Sequence, residues 1–311
     1  MQDSYGREID YLRISVTDRC NYRCIYCIPG EASPKPERER LSAEEYIRIA
    51  AAAVGLGIRK IRITGGEPLV RRDLLTICRG ISSIPGLREL CLTTNGMLLP
   101  EMAADLKAAG VSRLNISLNS MSPSKYAVIS SSDTYSRVMD GIRASQEAGF
   151  TGTKLNFVLI KGINDGEIPD FVELTKDRPV SVRFIELMPM GHLKDWAAKH
   201  FVSADCVLLA CPLLVPEEST GVAELYRIPG YKGTVGLIRP LSRRFCGTCS
   251  RLRLTADGML KPCLHSDLEI PLKGLSDEAL SRTIEEAIQR KPPHSCFDDA
   301  RSGRDMNEIG G

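Results

Sequence analysis

The chain has 311 residues, of which 43% are hydrophobic, enough to build a sizeable core in one large domain with an appendage or in two domains. Its 41 basic residues nearly balance its 39 acidic ones, and the formal net charge of +2 makes bulk nucleic-acid binding unexpected. The sequence contains no run of eighteen apolar residues, and its first residues lack the pattern of a secretion signal, so we expect a cytoplasmic protein without a membrane span.

Short apolar runs alternate with amphipathic stretches along the first 190 residues. The apolar runs predict strands at residues 12–16, 58–63, 89–93, 113–118, 154–160 and 181–187. The amphipathic stretches predict helices, of which the first begins at a capping box, Ser42-Ala43-Glu44-Glu45, and ends at Gly55 or Gly57. The other helices are predicted at residues 71–83, 98–109, 135–148, 165–176 and 277–290.

These alternating elements predict an α/β fold. About five successive β-then-α units require parallel strands with right-handed crossover helices, and six strands fit a partial, open barrel better than a closed eight-stranded one. The carboxyl ends of the strands would carry the chemistry. The periodicity ends near residue 190, and residues 202–241 are expected to be irregular or short-stranded. We therefore divide the chain into a barrel at residues 1–230 and a C-terminal region at residues 231–311.

Three cysteines, here called the first triad, occupy one loop directly after the first predicted strand. Cys20, Cys24 and Cys27 are separated by three and then two residues, so they can reach one iron–sulfur cube while one iron stays open to a small molecule. Structural zinc normally takes four ligands, and no fourth Cys or His is close in sequence. Eleven cysteines in a chain without a secretion signal also favour metal or redox chemistry over disulfides.

A second group of three cysteines, here called the second triad, lies near the C-terminus. Cys246, Cys249 and Cys263 are separated by two and then thirteen residues, and His265 follows two residues after the last of them. A second iron–sulfur cluster and a zinc site with three cysteines and one histidine both fit this spacing. The spacing by itself leaves both open.

Two arginines accompany the second triad. Arg251 and Arg253 alternate on a strand-like run, so both side chains are expected to face the same side, beside the cysteines. Two guanidinium groups on one face form an anion pocket, and their paired N–H donors suit phosphate oxygens. The pattern predicts a phosphate-bearing small molecule as the ligand.

Several of these motifs occur together in one superfamily. The Cys-x3-Cys-x2-Cys loop with Tyr26 before its last cysteine, and Gly65-Gly66-Glu67-Pro68 after the second strand, resemble the signatures of radical S-adenosylmethionine (SAM) enzymes. Residues 245–258, with the pattern Phe-Cys-x2-Cys-x-Arg-x-Arg-Leu-Thr-x-Asp-Gly, and the terminal Gly310-Gly311 narrow the resemblance to the GTP 3′,8-cyclase family. This resemblance extends over essentially the whole chain.

The resemblance implies a lyase of molybdenum cofactor biosynthesis that converts GTP into (8S)-3′,8-cyclo-7,8-dihydro-GTP. A SAM-derived 5′-deoxyadenosyl radical would take the hydrogen from C3′ of GTP, and C3′ would then attack C8 of the guanine. It also implies a barrel of radical SAM type, a C-terminal extension that binds iron–sulfur and GTP, and two [4Fe–4S] clusters. The cluster ligands would be Cys20, Cys24 and Cys27 for the first and Cys246, Cys249 and Cys263 for the second.

The resemblance assigns further contacts residue by residue. The residues that would contact SAM are Tyr26, Gly66, Ser117 and Met188. Those that would bind GTP are Arg13, Arg62, Thr93, Lys154, Arg251 and Arg253, and Lys60 and Arg183 are expected to line the same cavity. Arg13 would also serve in catalysis, together with a flexible tail that brings Gly310 and Gly311 into the site.

The family also implies partners: GTP as substrate, a downstream cyclic pyranopterin monophosphate synthase, and a reductant such as flavodoxin or ferredoxin. A homodimer is compatible with it, whereas nucleic acid and membrane are not expected as partners. Asn119, Ser250 and His265 depart from the family pattern. Two other functions stay open at this point: a radical SAM enzyme that modifies a peptide or RNA with an auxiliary cluster, and a non-catalytic scaffold with zinc at the second triad.

Overall fold

The computed structural model of this chain describes residues 1–28, 39–219, 221–294 and 303–310. Its strands are β1 (Tyr11–Ser15), β2 (Lys60–Thr64), β3 (Glu89–Thr94), β4 (Arg113–Ser117), β5 (Lys154–Leu159), β6 (Ser181–Glu186), β7 (Val215–Glu217), β8 (Glu224–Arg227), β9 (Thr234–Ile238), β10 (Arg251–Leu254), β11 (Met259–Lys261) and β12 (Ile270–Pro271). The first six lie within two residues of the predicted strands.

All twelve strands belong to one sheet, in the order β12-β11-β10-β1-β2-β3-β4-β5-β6-β9-β8-β7. Every neighbouring pair from β10 to β9 is parallel, and antiparallel pairs extend both ends. The described sheet ends at β12 and β7 and does not close on itself. The predicted open, parallel β/α barrel is therefore confirmed, with β1 to β6 as its six consecutive strands.

Helices connect the parallel strands. They are α1 (Ala43–Gly55), α2 (Leu74–Ser82), α3 (Leu99–Ala108), α4 (Pro123–Ser130), α5 (Tyr135–Glu147), α6 (Ile168–Glu173), α7 (Lys194–Lys199), α8 (Asp205–Ala210), α9 (Asp277–Gln289) and α10 (Met306–Ile309). Six of them correspond to predicted helices, although α6 is shorter than predicted because a 3-10 turn at Asp165–Glu167 precedes it. The sequence patterns did not indicate α4, α7 or α8. None of the described helices is long and apolar enough to cross a membrane.

The first helix shows how local sequence and packing agree. The Ser42 hydroxyl accepts from the Glu45 amide at 3.2 Å, and the Glu45 carboxylate accepts from the Ser42 amide at 2.7 Å, which confirms the predicted capping box. The buried Tyr46 donates to the carbonyl oxygens of Ser15 (3.0 Å) and Ala256 (3.2 Å). These two bonds attach α1 to the ends of both β1 and β10.

Strand alternation divides β1 between a core face and a cavity face. Leu12 and Ile14 are fully buried in the hydrophobic core, whereas Tyr11 and Arg13 line a cavity on the other face of the sheet. Since successive side chains of a strand point to opposite faces, the neighbouring strands follow the same division. The polar face of the parallel sheet therefore lines the cavity.

Candidate active site

The inner face of the parallel strands and the loops at their ends enclose a cavity of about 760 Å³. All six cysteines of the two triads line it, as do the predicted SAM contacts Tyr26, Gly66, Ser117 and Met188. The predicted GTP contacts also line it, namely Arg13, Arg62, Thr93, Lys154, Arg251 and Arg253. The structure thus brings together residues spread over most of the sequence.

The two triads lie at opposite ends of one strand pair. β10 is parallel to β1 and pairs with it from Tyr11–Arg251 to Ile14–Leu254. The first triad follows the carboxyl end of β1, while Cys246 and Cys249 precede the amino end of β10 and Cys263 follows β11, which is antiparallel to β10. The five residues of β1 span about 16 Å, so the triads face each other across roughly that distance.

Two rows of side chains cross the sheet between the triads. The pairing register puts Tyr11 between Lys60 and Arg251, and Arg13 between Arg62 and Arg253. Residues two apart on a strand share a face, so all six side chains point into the cavity, which they line. Five of the six are cations. Lys154 on β5 and Arg183 on β6 extend this positive surface toward the far wall.

Burial and the charges of neighbouring cations lower the pKa values of Arg13, Lys154 and Arg253. Burial, and next the charge of Arg253, holds the pKa of Arg13 well below its usual range. Burial and then the charge of Arg183 lower the pKa of Lys154 to about 7, and burial followed by Arg251 lowers that of Arg253 to about 10. Like charges held this close favour the binding of a polyanion, because it relieves their repulsion.

Few carboxylates oppose this charge. Among the described residues that line the cavity, eight are lysines or arginines and only Asp10 and Glu186 are acidic. Glu186 is already engaged, since it accepts from the backbone amides of Leu241 and Ser242, each at 3.0 Å. Just outside the cavity, Glu89 forms ion pairs with Lys60 and Arg113. The cavity therefore retains a strong net positive charge.

Buried polar atoms without a protein partner also face the cavity. The side-chain oxygen of Asn115 and the Nε of Arg183 are buried and have no hydrogen-bond partner among the described residues, and both residues line the cavity. Leaving such atoms unpaired costs about 1–3 kcal/mol each. A ligand hydroxyl would donate to the Asn115 oxygen, and a ligand phosphate oxygen would accept from the Arg183 Nε.

Tyr11 is a cavity residue that sequence reasoning missed. Its hydroxyl accepts from Nε of Arg62 at 2.6 Å, and the cationic groups of Lys60 and Arg251 lie 5.3 and 5.7 Å from its ring centroid. Burial opposes ionisation of the phenol, but the charges of Arg62, Arg13 and Arg251 outweigh it and lower the pKa to about 8. The sequence did contain a signal for it: Tyr11 directly precedes the predicted strand and lies two residues before Arg13, a spacing that puts both side chains on one face.

The first triad occupies a tight, half-buried loop. The Cys27 amide donates to the Cys24 carbonyl at 2.9 Å, which closes a tight turn. Burial, and then the proximity of Cys20, raises the pKa of Cys24 to about 12, and burial with Cys24 raises that of Cys27 further. Three soft sulfur donors whose negative charges disfavour one another suit a bound iron–sulfur cluster, which would offset that repulsion.

Neither triad is preassembled into a ligand set. In the part of the chain that the structure describes, no three His, Cys, Asp or Glu side chains converge at metal-binding distance. His265 lines the cavity with the second triad, and burial, followed by the charges of Arg253 and Arg244, lowers its pKa to about 3. His265 is therefore a neutral imidazole beside the second triad.

The glycine motif, which follows β2, connects the first-triad loop to the end of β3. The Gly66 amide donates to the Thr17 carbonyl at 2.7 Å, and a Cβ at Gly66 would overlap the backbone carbonyl of Arg19. The buried Glu67 accepts from the Thr94 hydroxyl and from the Asn95 amide, each at 2.7 Å. Only glycine permits this close approach, and the sequence analysis did not anticipate the role of Glu67.

One departure from the family pattern has a structural explanation. The Asn119 amide group donates to the Tyr26 hydroxyl at 2.8 Å and accepts from the Val158 amide at 3.0 Å. Asn119 thus orients the tyrosine beside the first triad. Ser117 and Met188 line the same end of the cavity.

The C-terminal segment contacts the row of cations. Nη1 of Arg253 donates to the Gly310 carbonyl at 2.5 Å. Gly310 has a φ of 82°, and a Cβ there would overlap the Thr64 hydroxyl. The predicted tail residue Gly310 therefore contacts Arg253, which lines the cavity, whereas Gly311 lies outside the described residues.

Comparisons with known proteins identify the family of this chain. The model of the Radical SAM superfamily matches residues 14–175, and that of Molybdenum Cofactor Synthesis C matches residues 180–297. A GTP 3′,8-cyclase from Peptoclostridium acidaminophilum is 50% identical over 99% of this chain and 98% of its own length. One from Alkaliphilus oremlandii is 46% identical over the whole of both chains.

A solved structure supports the fold. Streptococcus suis SuiB bound to S-adenosylmethionine superposes with a TM-score of 0.56 at 14% sequence identity, over 85% of this chain and 63% of its own. At that identity the likeness concerns the architecture alone. It matches the open, mostly parallel sheet described above.

Proposed function

This chain belongs to the radical SAM superfamily and, within it, to the GTP 3′,8-cyclases, and from this premise we propose that its cavity converts GTP into 3′,8-cyclo-7,8-dihydro-GTP for molybdenum cofactor biosynthesis. The observation that carries the proposal is the double row of cations between two cysteine triads. A peptide- or RNA-modifying activity is not favoured, because the full-length relatives are GTP cyclases.

The first triad is the proposed holder of the [4Fe–4S] cluster that a radical SAM enzyme uses together with SAM. When bound, that pair supplies a carbon radical able to take a hydrogen atom from the substrate. Gly66 allows the backbone of the first-triad loop to pack directly against the glycine motif, and Tyr26, held by Asn119, presents its ring beside the triad. Ser117 and Met188 complete the proposed SAM contacts.

The proposed GTP contacts follow from position along the strands. The triphosphate would bind across Arg62, Lys154 and Arg183, where the charges converge and an unpartnered Nε is available. Arg13 belongs to the row nearer the carboxyl ends of the strands, and we propose that its guanidinium acts beside the ribose and the reacting carbon. Thr93, within 3.4 Å of Nη1 of Arg62, would contact the nucleotide as well.

The second triad is the proposed site of a second [4Fe–4S] cluster that anchors the guanine. Arg251 and Arg253 lie on the strand that leads away from it, so a base held there directs its ribose toward the first triad. A nucleotide bound at both ends has its C3′ and C8 held in one orientation, and an error of about 1 Å in such positioning costs on the order of a hundredfold in rate.

We also propose a division of the chain into two regions, a role for its C-terminal tail, an electron donor and an acceptor of the product. Residues 1–230 form the barrel, and residues 231–311 form the auxiliary region with its Gly310-Gly311 tail. Gly310 would approach the reacting nucleotide through the guanidinium of Arg253. Electrons would come from flavodoxin or ferredoxin, and the product would pass to a cyclic pyranopterin monophosphate synthase.

Anaerobic reconstitution with GTP, SAM and dithionite tests the proposal. The expected result is 5′-deoxyadenosine together with the cyclised nucleotide, in equal amounts, from protein that holds about eight irons and eight sulfides per chain. A protein with four irons and one zinc would contradict the second cluster. Formation of 5′-deoxyadenosine without any GTP-derived product would overturn the cyclase assignment.

A further inference from the structure

Two buried cations from distant parts of the chain contact the loops that carry the second triad. The first is Arg7, which precedes β1. Its Nη1 donates to the Cys246 carbonyl at 2.9 Å, and its Nη2 donates to the Pro292 carbonyl at 2.8 Å. Nε of Arg7 donates to the Asp3 carboxylate at 2.7 Å, so this guanidinium has its own counter-ion.

The second cation is Lys291, which follows α9 and is only 3% exposed. Its ammonium donates to the carbonyl oxygens of Pro262 at 2.7 Å and of Arg251 at 2.8 Å, and Lys291 lines the cavity together with Cys249 and Cys263. The carbonyl of Pro262 directly precedes Cys263. Arg7 and Lys291 together therefore bond to the backbone at Cys246, directly before Cys263 and two residues after Cys249.

The charge of Lys291 lacks the counter-ion that Arg7 has. Among the described residues Lys291 forms no ion pair, and the sulfurs of Cys249 and Cys263 belong to residues that line the same cavity. Burying an ammonium group is costly unless it is hydrogen-bonded and paired. Two of its three N–H donors are matched by carbonyls. The third is available to a sulfur of the triad, and the charge of Lys291 is paired when that sulfur is anionic.

We propose that Lys291 is a positioning residue of the second cluster: it donates a hydrogen bond to the Cys249 sulfur, joins the Cys249 and Cys263 loops, and favours the more negative state of the cluster. This inference rests on the proposed second [4Fe–4S] cluster. The reduction potentials of such clusters depend on net charge and on hydrogen bonds to the sulfurs. The step concerned adds one electron from dithionite to the cluster, breaks no bond and leaves the proton on Lys291.

The test compares three variants of the full chain: Lys291→Met, Lys291→Arg and, as the matched control, Arg290→Met at the exposed neighbouring position. Each is made in the wild type and in a Cys20→Ala/Cys24→Ala/Cys27→Ala background, where only the second cluster contributes iron and EPR signal. The readouts are iron and sulfide content, the midpoint potential from an EPR-monitored titration, and the rate of iron release to a chelator.

Lys291→Met is expected to make reduction of the second cluster at least tenfold less favourable. The midpoint potential of the cluster would then fall by about 59 mV or more, as for any one-electron couple. Its iron release should be about 10- to 100-fold faster. Lys291→Arg keeps the charge and should recover most of both properties, and Arg290→Met should match the wild type. The first cluster, measured in the otherwise unaltered chain, should keep its iron in every variant.

The outcomes separate this inference from the function on which it rests. A wild-type chain with only four irons would refute the second cluster itself. A wild-type chain with eight irons, whose second cluster keeps its potential and its release rate in Lys291→Met, would refute the role of Lys291 and leave the proposed function intact. If Lys291→Met loses the second cluster entirely, retention in Lys291→Arg supports the inference, and loss in both overturns the role of the charge.

Discussion

The two triads hold the same number of sulfurs in opposite surroundings. The first occupies eight consecutive residues, and burial together with the neighbouring thiols raises the pKa values of Cys24 and Cys27. The second is divided between two loops and lies beside cations. Burial opposes ionisation of Cys249, but the charges of Lys291 and Arg251 together with a backbone hydrogen bond outweigh it and lower the pKa. The end of the cavity at the first triad is therefore formed by residues close together in sequence. The end at the second triad depends on charged side chains from distant segments.

This contrast explains how one cavity could serve two ligands. The first triad adjoins the glycine motif and Tyr26, an environment of backbone groups and one aromatic ring. The second adjoins guanidinium groups and leads into the positive rows. A zwitterionic cofactor suits the first end, and a polyanionic nucleotide suits the remainder.

The largest effects are expected when one cysteine is removed from each triad, which tests whether the two ends of the cavity act independently. Cys24→Ala should abolish 5′-deoxyadenosine formation, by about a thousandfold or more, while the second cluster keeps its iron. Cys263→Ala should lose the cyclised product but still cleave SAM. Iron analysis and product chromatography measure both, with the buried Cys78→Ala as control. Loss of all iron in either variant would mean that the two ends are not independent.

Gly66→Ala should act on the SAM end alone. A methyl group there would overlap the Arg19 carbonyl, and overpacking of this kind costs about 1–3 kcal/mol. We expect SAM affinity to fall by about 10- to 100-fold in equilibrium dialysis, with GTP binding unchanged. Gly166→Ala is the control, since a Cβ at Gly166 meets nothing within 4 Å. Equal losses for both ligands would argue that Gly66 supports the whole fold.

Arg251→Met should act on the GTP end alone. Removing a charge-assisted hydrogen bond costs about 1.5–3 kcal/mol, so GTP affinity should fall by about 10- to 100-fold while SAM binding and both clusters are retained. The exposed Arg72→Met serves as control. If Arg251→Met lost iron instead, the residue would be a structural support of the second triad rather than a GTP contact.

The smallest expected effect is the pH dependence of GTP binding. The pKa of Lys154 is lowered to about 7 in the ligand-free cavity, and a bound triphosphate would raise it, so binding takes up a proton. Affinity should therefore fall as the pH rises above about 7, by up to tenfold per pH unit. Ionisation of Tyr11, whose pKa is about 8, acts in the same direction.

Calorimetry in buffers of different ionisation enthalpy measures this proton uptake directly. Lys154→Arg should reduce it near pH 7.5, because arginine stays protonated there, and Tyr11→Phe should remove the further loss above pH 8. A wild-type affinity that does not change between pH 6.5 and 8.5 would show that neither group titrates in the free cavity.

Much of the barrel could be predicted because its signals are local. The six strands and the capped helix after Ser42 follow from apolar periodicity and capping chemistry, and each is present. The sequence patterns missed α4, whose residues Pro123–Ser130 show little amphipathic pattern, and the short α7 and α8. The roles of Tyr11, Glu67 and Lys291 were missed too, since each depends on partners far away in sequence.

The sequence by itself determined the chemical groups and the order of the elements: two sets of three thiols, a glycine turn, and alternating cations on strands. Only the tertiary structure decided that β10, from near the end of the chain, pairs with β1 from its beginning. That pairing puts the triads at opposite ends of one cavity and aligns Arg251 and Arg253 with Tyr11 and Arg13. The reason is physical: spacing along a chain specifies which groups can share a loop, whereas strand pairing brings distant segments together through burial and backbone hydrogen bonds.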